Sequence, residues 1–184
     1  EVDDGICPIE STPVTVTGPA PIVANEIVTP VSCFGGSNGN DGSIEVNPTG
    51  ENNDFTYLWS FTGSPNNTSS GGIYPYLGVG SYSVLISPTN GCDPFTAVIA
   101  MTEPAQIDLI TSTVITDASC YNDNDGSIAL SPLGGVPPFT YLWSDLSVSS
   151  TASGLSAGAY NCMVTDDNGC IALTGPITIT EPAE

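Results

Sequence analysis

Apolar and polar residues alternate along much of this chain, which is the pattern of half-buried β-strands. The clearest example is Phe-Thr-Tyr-Leu-Trp-Ser, which occurs at residues 55–60 and again at residues 139–144. Because successive strand side chains point to opposite faces, the three aromatic rings of each copy share one face. Three large rings on one face require a dry partner. Each copy is therefore predicted to be the central strand of a small β-module, with Trp59 or Trp143 anchoring the core.

The surroundings of these two strands repeat as well. Asp-Gly-Ser-Ile begins at Asp41 and at Asp125, and both this pair and the two tryptophans are 84 residues apart. Asn-Gly-Cys ends at Cys92 and at Cys170, which are 78 residues apart, so the first module contains six extra residues. We expect them to form a surface loop within residues 61–76. Repeats of this length are typical of tandem domains that each bury their own core.

The repeat predicts one module over residues 19–104 and another over residues 105–184. Residues 1–18 match the last hairpin of such a module, because Cys7 precedes an alternating Val-Thr-Val-Thr as Cys170 precedes Ile-Thr-Ile-Thr. We therefore expect this chain to be a segment of a longer array.

Short strands between regular turn signals predict an all-β chain of immunoglobulin-like Greek-key β-sandwiches, with little or no helix. We name their strands A to G in immunoglobulin order. Strand A of the second module is expected over residues 107–115, which are rich in β-branched side chains. Leu-x-x-Gly-x-Tyr, which ends at Tyr82 and at Tyr160, is typical of the tyrosine corner before strand F. Both tyrosines are expected to join the tryptophans as core anchors.

The charge composition of the chain excludes several classes of function. The chain has no Lys, Arg or His and 20 Asp plus Glu, which gives a net charge of −20. Because phosphates are neutralised by cations, nucleic-acid binding and attachment to anionic membranes are excluded. No apolar stretch reaches the length of a transmembrane helix, so we expect no direct membrane insertion. Catalysis near neutral pH usually recruits the missing cationic residues, and we expect no enzyme and no organic cofactor.

The six cysteines occupy repeating positions in a β-rich chain without His, which indicates disulfides in an oxidising compartment. Cys162 is different, because strand alternation places it on the core face beside Trp143. It is expected to be a buried, free thiol.

The sequence contains the motifs Cys-Phe-Gly-Gly-Ser-Asn-Gly, Asp-Gly-Ser-Ile, Tyr-x-Trp-Ser, Leu-x-x-Gly-x-Tyr, Asn-Gly-Cys and Thr-Glu-Pro-Ala. Together these motifs resemble the SprB repeat. The family recurs in large surface adhesins of gliding bacteria and in other proteins exported by the type IX secretion system, and it is similar to PKD-type immunoglobulin-like domains. The first module departs from the pattern in its longer loop after Trp59, and the second by having Cys162 where the first has Val84. The resemblance implies an extracellular, cell-surface filament or adhesin.

Two functions from different classes stay open. The modules are either structural spacers in a stalk, with neighbouring modules of the same polypeptide or filament as partners, or binding modules for carbohydrate or protein. Tyr74 and Tyr76 lie in the longer loop of the first module, and aromatic rings can stack on sugars, so surface polysaccharide is a candidate partner. Local packing is the other interpretation of these rings. The similar core motifs and the anionic surface favour the spacer.

Two Asn/Asp-rich loops offer oxygen ligands for Ca²⁺, although neither has the full set of an EF-hand. The same residue types also form ordinary turns. The candidate ligands are Asn38, Asn40 and Asp41 in the first module and Asn122, Asp123 and Asp125 in the second.

A row of apolar side chains points away from each core by strand phase. It contains Leu58 and Leu85 in the first module and Leu142 and Met163 in the second. Adjacent outward apolar residues often mark contacts, so we predict that this face packs against another chain or module, or lies under a loop.

Strand direction predicts how the cysteines pair. The A–B loop with Cys33 lies at the far pole of the first module, and the F–G turn with Cys170 lies at the near pole of the second. The poles of one module are roughly 25 Å apart, whereas a disulfide needs Cα atoms within about 7 Å. We therefore predict a bond between Cys33 and Cys170 across the hinge.

In that arrangement Cys7, Cys92 and Cys120 would pair with modules outside the segment. The alternative is pairing inside each module, Cys33 with Cys92 and Cys120 with Cys170, because the family motif carries both cysteines in one module. Cys162 is free in either case.

Overall fold

The computed structural model describes residues 18, 20–36, 40–50, 54–61, 64–67, 71–110 and 112–184. Their regular structure is almost entirely antiparallel strand, with one 3-10 turn at Phe34–Gly36. Within these ranges, no helix has the length and apolar character needed to cross a membrane. The all-β class predicted from the sequence is confirmed. The hairpin expected over residues 1–18 lies, apart from Gly18, outside the described residues.

The first module is a sandwich of two sheets. One sheet has the strand order β1-β2-β5 and the other has the order β4-β3-β6-β7. The strands are β1 (Glu26–Thr29), β2 (Gly42–Val46), β3 (Phe55–Phe61), β4 (Ser64–Asn67), β5 (Ile73–Leu77), β6 (Gly80–Pro88) and β7 (Phe95–Met101). The surface loop expected within residues 61–76 is therefore wrong in part. That stretch contains β4, which extends the sheet beside β3, and most of β5.

The second module repeats this plan with shorter strands. Its sheets have the orders β11-β9-β8, β10-β13-β14 and β12-β15. There are three sheets rather than two because the counterpart of β6 is divided into β12 and β13, and the counterpart of β7 into β14 and β15. The strands are β8 (Val114–Thr116), β9 (Gly126–Ala129), β10 (Thr140–Trp143), β11 (Thr151–Leu155), β12 (Gly158–Tyr160), β13 (Cys162–Thr165), β14 (Ile171–Leu173) and β15 (Ile177–Ile179).

Strand A of the second module is much shorter than the predicted 107–115. Among the described residues of that stretch, the strand is confined to Val114–Thr116, and Asp108 makes an isolated bridge with Leu133. The Asp108 carboxylate accepts a hydrogen bond from the N–H of Ile110 at 2.9 Å, and Ile110 is 88% exposed. A side-chain acceptor two residues back turns the chain away from the sheet, which β-propensity alone does not show.

Each module has its own hydrophobic core, centred on its tryptophan. Trp59 is 0% exposed and packs with Ile44 and Val84 from opposite sheets, whereas Trp143 is 1% exposed and packs with residues such as Ile128. The alternation of residues 55–60 and 139–144 therefore predicted both core anchors correctly.

Both predicted tyrosine corners form. The Tyr82 hydroxyl donates a hydrogen bond to the carbonyl oxygen of Gly78 at 2.9 Å, and Tyr160 donates to Ser156 at 3.0 Å. Tyr82 is buried, and its ring stacks on Phe61 with centroids 4.7 Å apart. Tyr160 is only half-buried at the edge of its core, so it anchors the second module less strongly.

Candidate functional site

The described part of the A–B loop of the first module (residues 30–36, 40 and 41) meets the F–G turn of the second (residues 166–170). A disulfide joins Cys33 to Cys170, with Cα atoms 5.6 Å apart and a sequence separation of 137 residues. Both cysteines are buried. This is the pair that strand direction predicts, and it differs from the alternative of pairing inside each module. Cys92 and Cys120 are exposed and free. The two modules are thus covalently joined at a second point besides the main chain.

Polar and apolar contacts surround this bond. The Asn168 amide donates a hydrogen bond from Nδ2 to the carbonyl oxygen of Ser32 at 2.8 Å. Phe34 follows Cys33 and lines a groove whose other walls come from the linker and the second module. Those walls include Pro104, Ala105, Ile107 and Cys170. The junction therefore combines a covalent bond and a hydrogen bond, with the Phe34 ring at the wall of the groove beside them.

Two carboxylates shape the loop that presents Cys33. Asp41 accepts a hydrogen bond from the N–H of Ser32 at 3.0 Å, and Glu103 accepts one from the N–H of Gly35 at 2.7 Å. Hydrogen bonds from the Ser32 side chain and backbone hold the pKa of Asp41 below its ordinary value. Since these acceptors flank Cys33 on both sides, the loop is held to the end of β7 rather than left open.

A third carboxylate shapes the F–G turn. Asp166 is 6% exposed and accepts hydrogen bonds from the N–H groups of Asn168 (3.0 Å), Cys170 (2.8 Å) and Val136 (2.9 Å). It therefore positions both residues of this turn that contact the first module. No local pattern indicates this role, although the contrast between Asp166 and Pro88 at the equivalent position is a usable signal.

The A–B loop of the second module (residues 117–125) repeats the same scaffold at the other end of the chain. Ser119 donates its N–H to Asp125 at 2.9 Å, and Asn122 donates its N–H to Glu181 at 2.8 Å. Hydrogen bonds from the Ser119 side chain and backbone lower the pKa of Asp125, as in the first module. The loop around Cys120 is thus built like the loop around Cys33, but its thiol is free.

The candidate calcium ligands lie in these same loops. Within the described parts of the chain, no three His, Cys, Asp or Glu side chains are grouped as metal ligands. Asp41 and Asp125 instead accept backbone hydrogen bonds, whereas Asn40, Asn122 and Asp123 are exposed and Asn38 lies outside the described residues. Calcium binding stays a prediction. Titrating Ca²⁺ into the EDTA-treated protein tests this prediction. A specific site would raise the melting temperature, and an unchanged melting temperature would refute calcium binding.

The remaining thiol, Cys162, is buried and free, and it lies opposite Trp143 on the neighbouring strand. Burial raises the pKa of this thiol. A neutral, enclosed sulfur is a packing group rather than a nucleophile.

The two candidate sugar-stacking rings have different surroundings. Tyr74 stacks on Trp59 with ring centroids 5.3 Å apart, so it belongs to the core. Tyr76 is 82% exposed. Polysaccharide contact therefore stays a prediction that concerns Tyr76 alone.

The predicted lateral face is in register across strands. Leu58 pairs with Leu85, and Leu142 pairs with Met163. Leu142 is exposed and the other three are half-buried. Contact of this face with another chain remains a prediction.

Comparison with known proteins agrees with the architecture. The sequence profile of the SprB repeat matches residues 25–61 and 112–148, once in each module. None of the curated proteins compared with the chain matches it.

Solved structures show the fold. The three N-terminal domains of the bacteriophage RB49 highly immunogenic outer capsid protein (Hoc) are 16% identical, with a TM-score of 0.51 over 87% of this chain. The chain spans 58% of that structure. The titin I-band fragment I67–I69 is 14% identical, with a TM-score of 0.47 over 91% of this chain and 68% of the fragment. At 16% identity the likeness to the Hoc domains concerns only the fold.

Proposed function

Since this chain carries two SprB repeats on immunoglobulin-like modules, we propose that it is a spacer segment in the stalk of a long extracellular filament or cell-surface adhesin. Its role there is to hold successive modules in a set orientation. The segment transmits position and load between the ends of the filament, and it does not carry a reaction.

The disulfide between Cys33 and Cys170 is the observation that carries this proposal. Domains joined only by a main-chain linker normally move relative to each other. A second covalent connection closes a ring through both modules and removes much of that freedom. Such a bond has no evident use in an isolated binding domain, whereas a spacer needs a stiff junction.

The charge and redox chemistry agree with an extracellular stalk. A disulfide of this kind persists in oxidising compartments outside the cytosol. The net charge of −20 opposes collapse of neighbouring segments onto each other. Because Lys and Arg are absent, trypsin-like proteases find no cleavage site.

Residual dipolar couplings of the oxidised chain test the proposal, because they report the alignment of each module separately. We expect both modules of the parent chain to share one alignment tensor. In the double variant Cys33→Ser, Cys170→Ser, the two alignment tensors should differ in magnitude, as expected of domains that move relative to each other.

The matched control is the double variant Cys92→Ser, Cys120→Ser, which also removes two thiols but leaves the junction intact. It should behave as the parent. If the junction variant keeps one shared tensor, the disulfide does not set the module orientation and the spacer proposal loses its support.

A further inference from the structure

The segments around Cys120 and Cys92, at the outer poles of the two described modules, resemble the two halves of the internal junction. We propose that the Cys120 loop of one copy docks on the Cys92 turn of a second copy, head to tail, and that a disulfide between Cys120 and Cys92 closes the contact. The proposal rests on the proposed function, since it extends the same junction from one chain to the next.

The loop half is already formed. Cys120 is exposed and free, and its loop is held by Asp125 and Glu181 as the Cys33 loop is held by Asp41 and Glu103. The neighbouring Tyr121 is exposed and stands where Phe34 stands beside Cys33. A loop that keeps its shape in the free chain loses little conformational entropy on docking.

The turn half shares part of this geometry. Gly91 and Gly169 have the same left-handed backbone angle φ of +81°, so the chain bends alike at these two glycines, whereas Pro88 stands where Asp166 holds the Cys170 turn. Asn90 occupies the position of Asn168, which donates to Ser32 in the internal junction. The Asn90 Oδ1 accepts the N–H of Cys92 at 3.1 Å, which leaves its Nδ2 as the donor for an incoming carbonyl.

A groove lies beside Cys92 at the place that corresponds to the Phe34-lined groove of the internal junction. It is lined by Ala20, Ile22, Gly50, Phe55, Pro88 and Cys92. The corresponding groove beside Cys170 is lined by Ala105, Ile107, Gly135 and Asp166, and Phe34 of the neighbouring module forms part of its wall. In the head-to-tail contact, Tyr121 of the first copy takes the place of Phe34. Ser119 of the first copy presents its carbonyl to Asn90 of the second.

The contact is heterologous, because it uses a different pole of each copy. Such contacts leave one free pole at each end, so they propagate into open chains rather than closed dimers. The predicted product is therefore a ladder of linear oligomers.

The bond forms by thiol–disulfide exchange with a small disulfide oxidant such as oxidised glutathione. The Cys120 thiolate attacks one glutathione sulfur, which forms a mixed disulfide and releases one glutathione thiolate. The Cys92 thiolate of the second copy then attacks the Cys120 sulfur and releases the other glutathione. Two cysteine thiols are oxidised and one glutathione disulfide is reduced to two thiols.

The experiment uses the full chain in a Cys7→Ser background, with the Cys33–Cys170 bond formed and oxidised glutathione as oxidant. Non-reducing gels should show a ladder. Peptide mass spectrometry after cleavage at both Asp and Glu, which places Cys92, Cys120, Cys162 and Cys170 in separate peptides, should identify Cys92 linked to Cys120. Cys92→Ser alone and Cys120→Ser alone should each stay monomeric, whereas an equal mixture of the two should form a heterodimer and stop there.

A second variant separates docking from simple thiol oxidation. Tyr121→Ser should slow ladder formation roughly tenfold, while the reaction of Cys120 with a small disulfide reagent stays unchanged. Homodimers of either single variant at the yield of the mixture, no ladder, or a Tyr121→Ser ladder at the parent rate would each overturn the proposal. None of these results alters the dipolar couplings of the internal junction, so the two proposals fail separately.

Discussion

At the scale of single residues, acidic side chains determine the shape of both halves of the junction. Asp41, Asp125, Glu103 and Glu181 accept backbone N–H groups in the cysteine loops, and Asp166 does so in the F–G turn. In a chain without cations, carboxylates have only N–H and O–H donors as partners. The anionic composition therefore contributes to local structure as well as to solubility.

Asp166→Ala should destabilise the second module by roughly 3 kcal/mol, because it leaves one buried and two part-buried N–H groups without their acceptor. Asp167→Ala is the matched control, since it removes the same charge from an exposed position in the same turn. That control should stay within about 0.5 kcal/mol of the parent. The free energy of unfolding of each variant is measured by urea titration, with NMR signals of the second module as the probe. Equal losses of stability in the two variants would contradict the role given to Asp166.

The lowered pKa of Asp125 predicts a pH dependence. Because the folded pKa lies below the unfolded one, the unfolded chain binds the proton first as pH falls. The stabilisation is therefore present above the model-peptide value of 3.8 and is lost as pH falls through the folded pKa. The stability difference between the parent and Asp125→Asn should shrink over that acidic range. A difference that is constant with pH would rule out the hydrogen bond as its source.

At the scale of elements, alternation predicted the strands whose inner faces carry large side chains. Residues 55–60 and 139–144 were predictable because one face had to be buried. Strand A of the second module was overestimated, since the Asp108 turn competes with its β-branched residues. The pairing of β4 with β3, and the reach of Asp166 to Val136, depend on tertiary contacts between segments that no local pattern connects.

The hydrogen bonds of the two tyrosine corners are expected to contribute unequally to stability. Tyr82→Phe removes a hydrogen bond to Gly78 from a buried ring and should cost about 1 kcal/mol. Tyr160→Phe removes the equivalent bond from a half-buried ring, where water can replace it, and should cost less. Urea midpoints of the two variants give the order, and a larger loss for Tyr160→Phe would contradict this account of the two cores.

At the scale of the whole molecule, the junction changes how the chain responds to load. The disulfide encloses the sequence between Cys33 and Cys170, which contains most of both modules. Tension applied at the ends passes through the sulfur atoms and does not reach the enclosed strands. A stalk built in this way would resist extension even when its individual modules are only marginally stable.

Pulling single oxidised chains by their two ends tests this claim most directly, with Cys92→Ser, Cys120→Ser as the background. The sequence separation of 137 residues, at about 3.5 Å per residue, corresponds to roughly 480 Å of extended chain. We expect the force–extension curve to show no release of this length under oxidising conditions. The length should be released after reduction, or in the Cys33→Ser, Cys170→Ser variant. Release of the full length from the oxidised chain would contradict it.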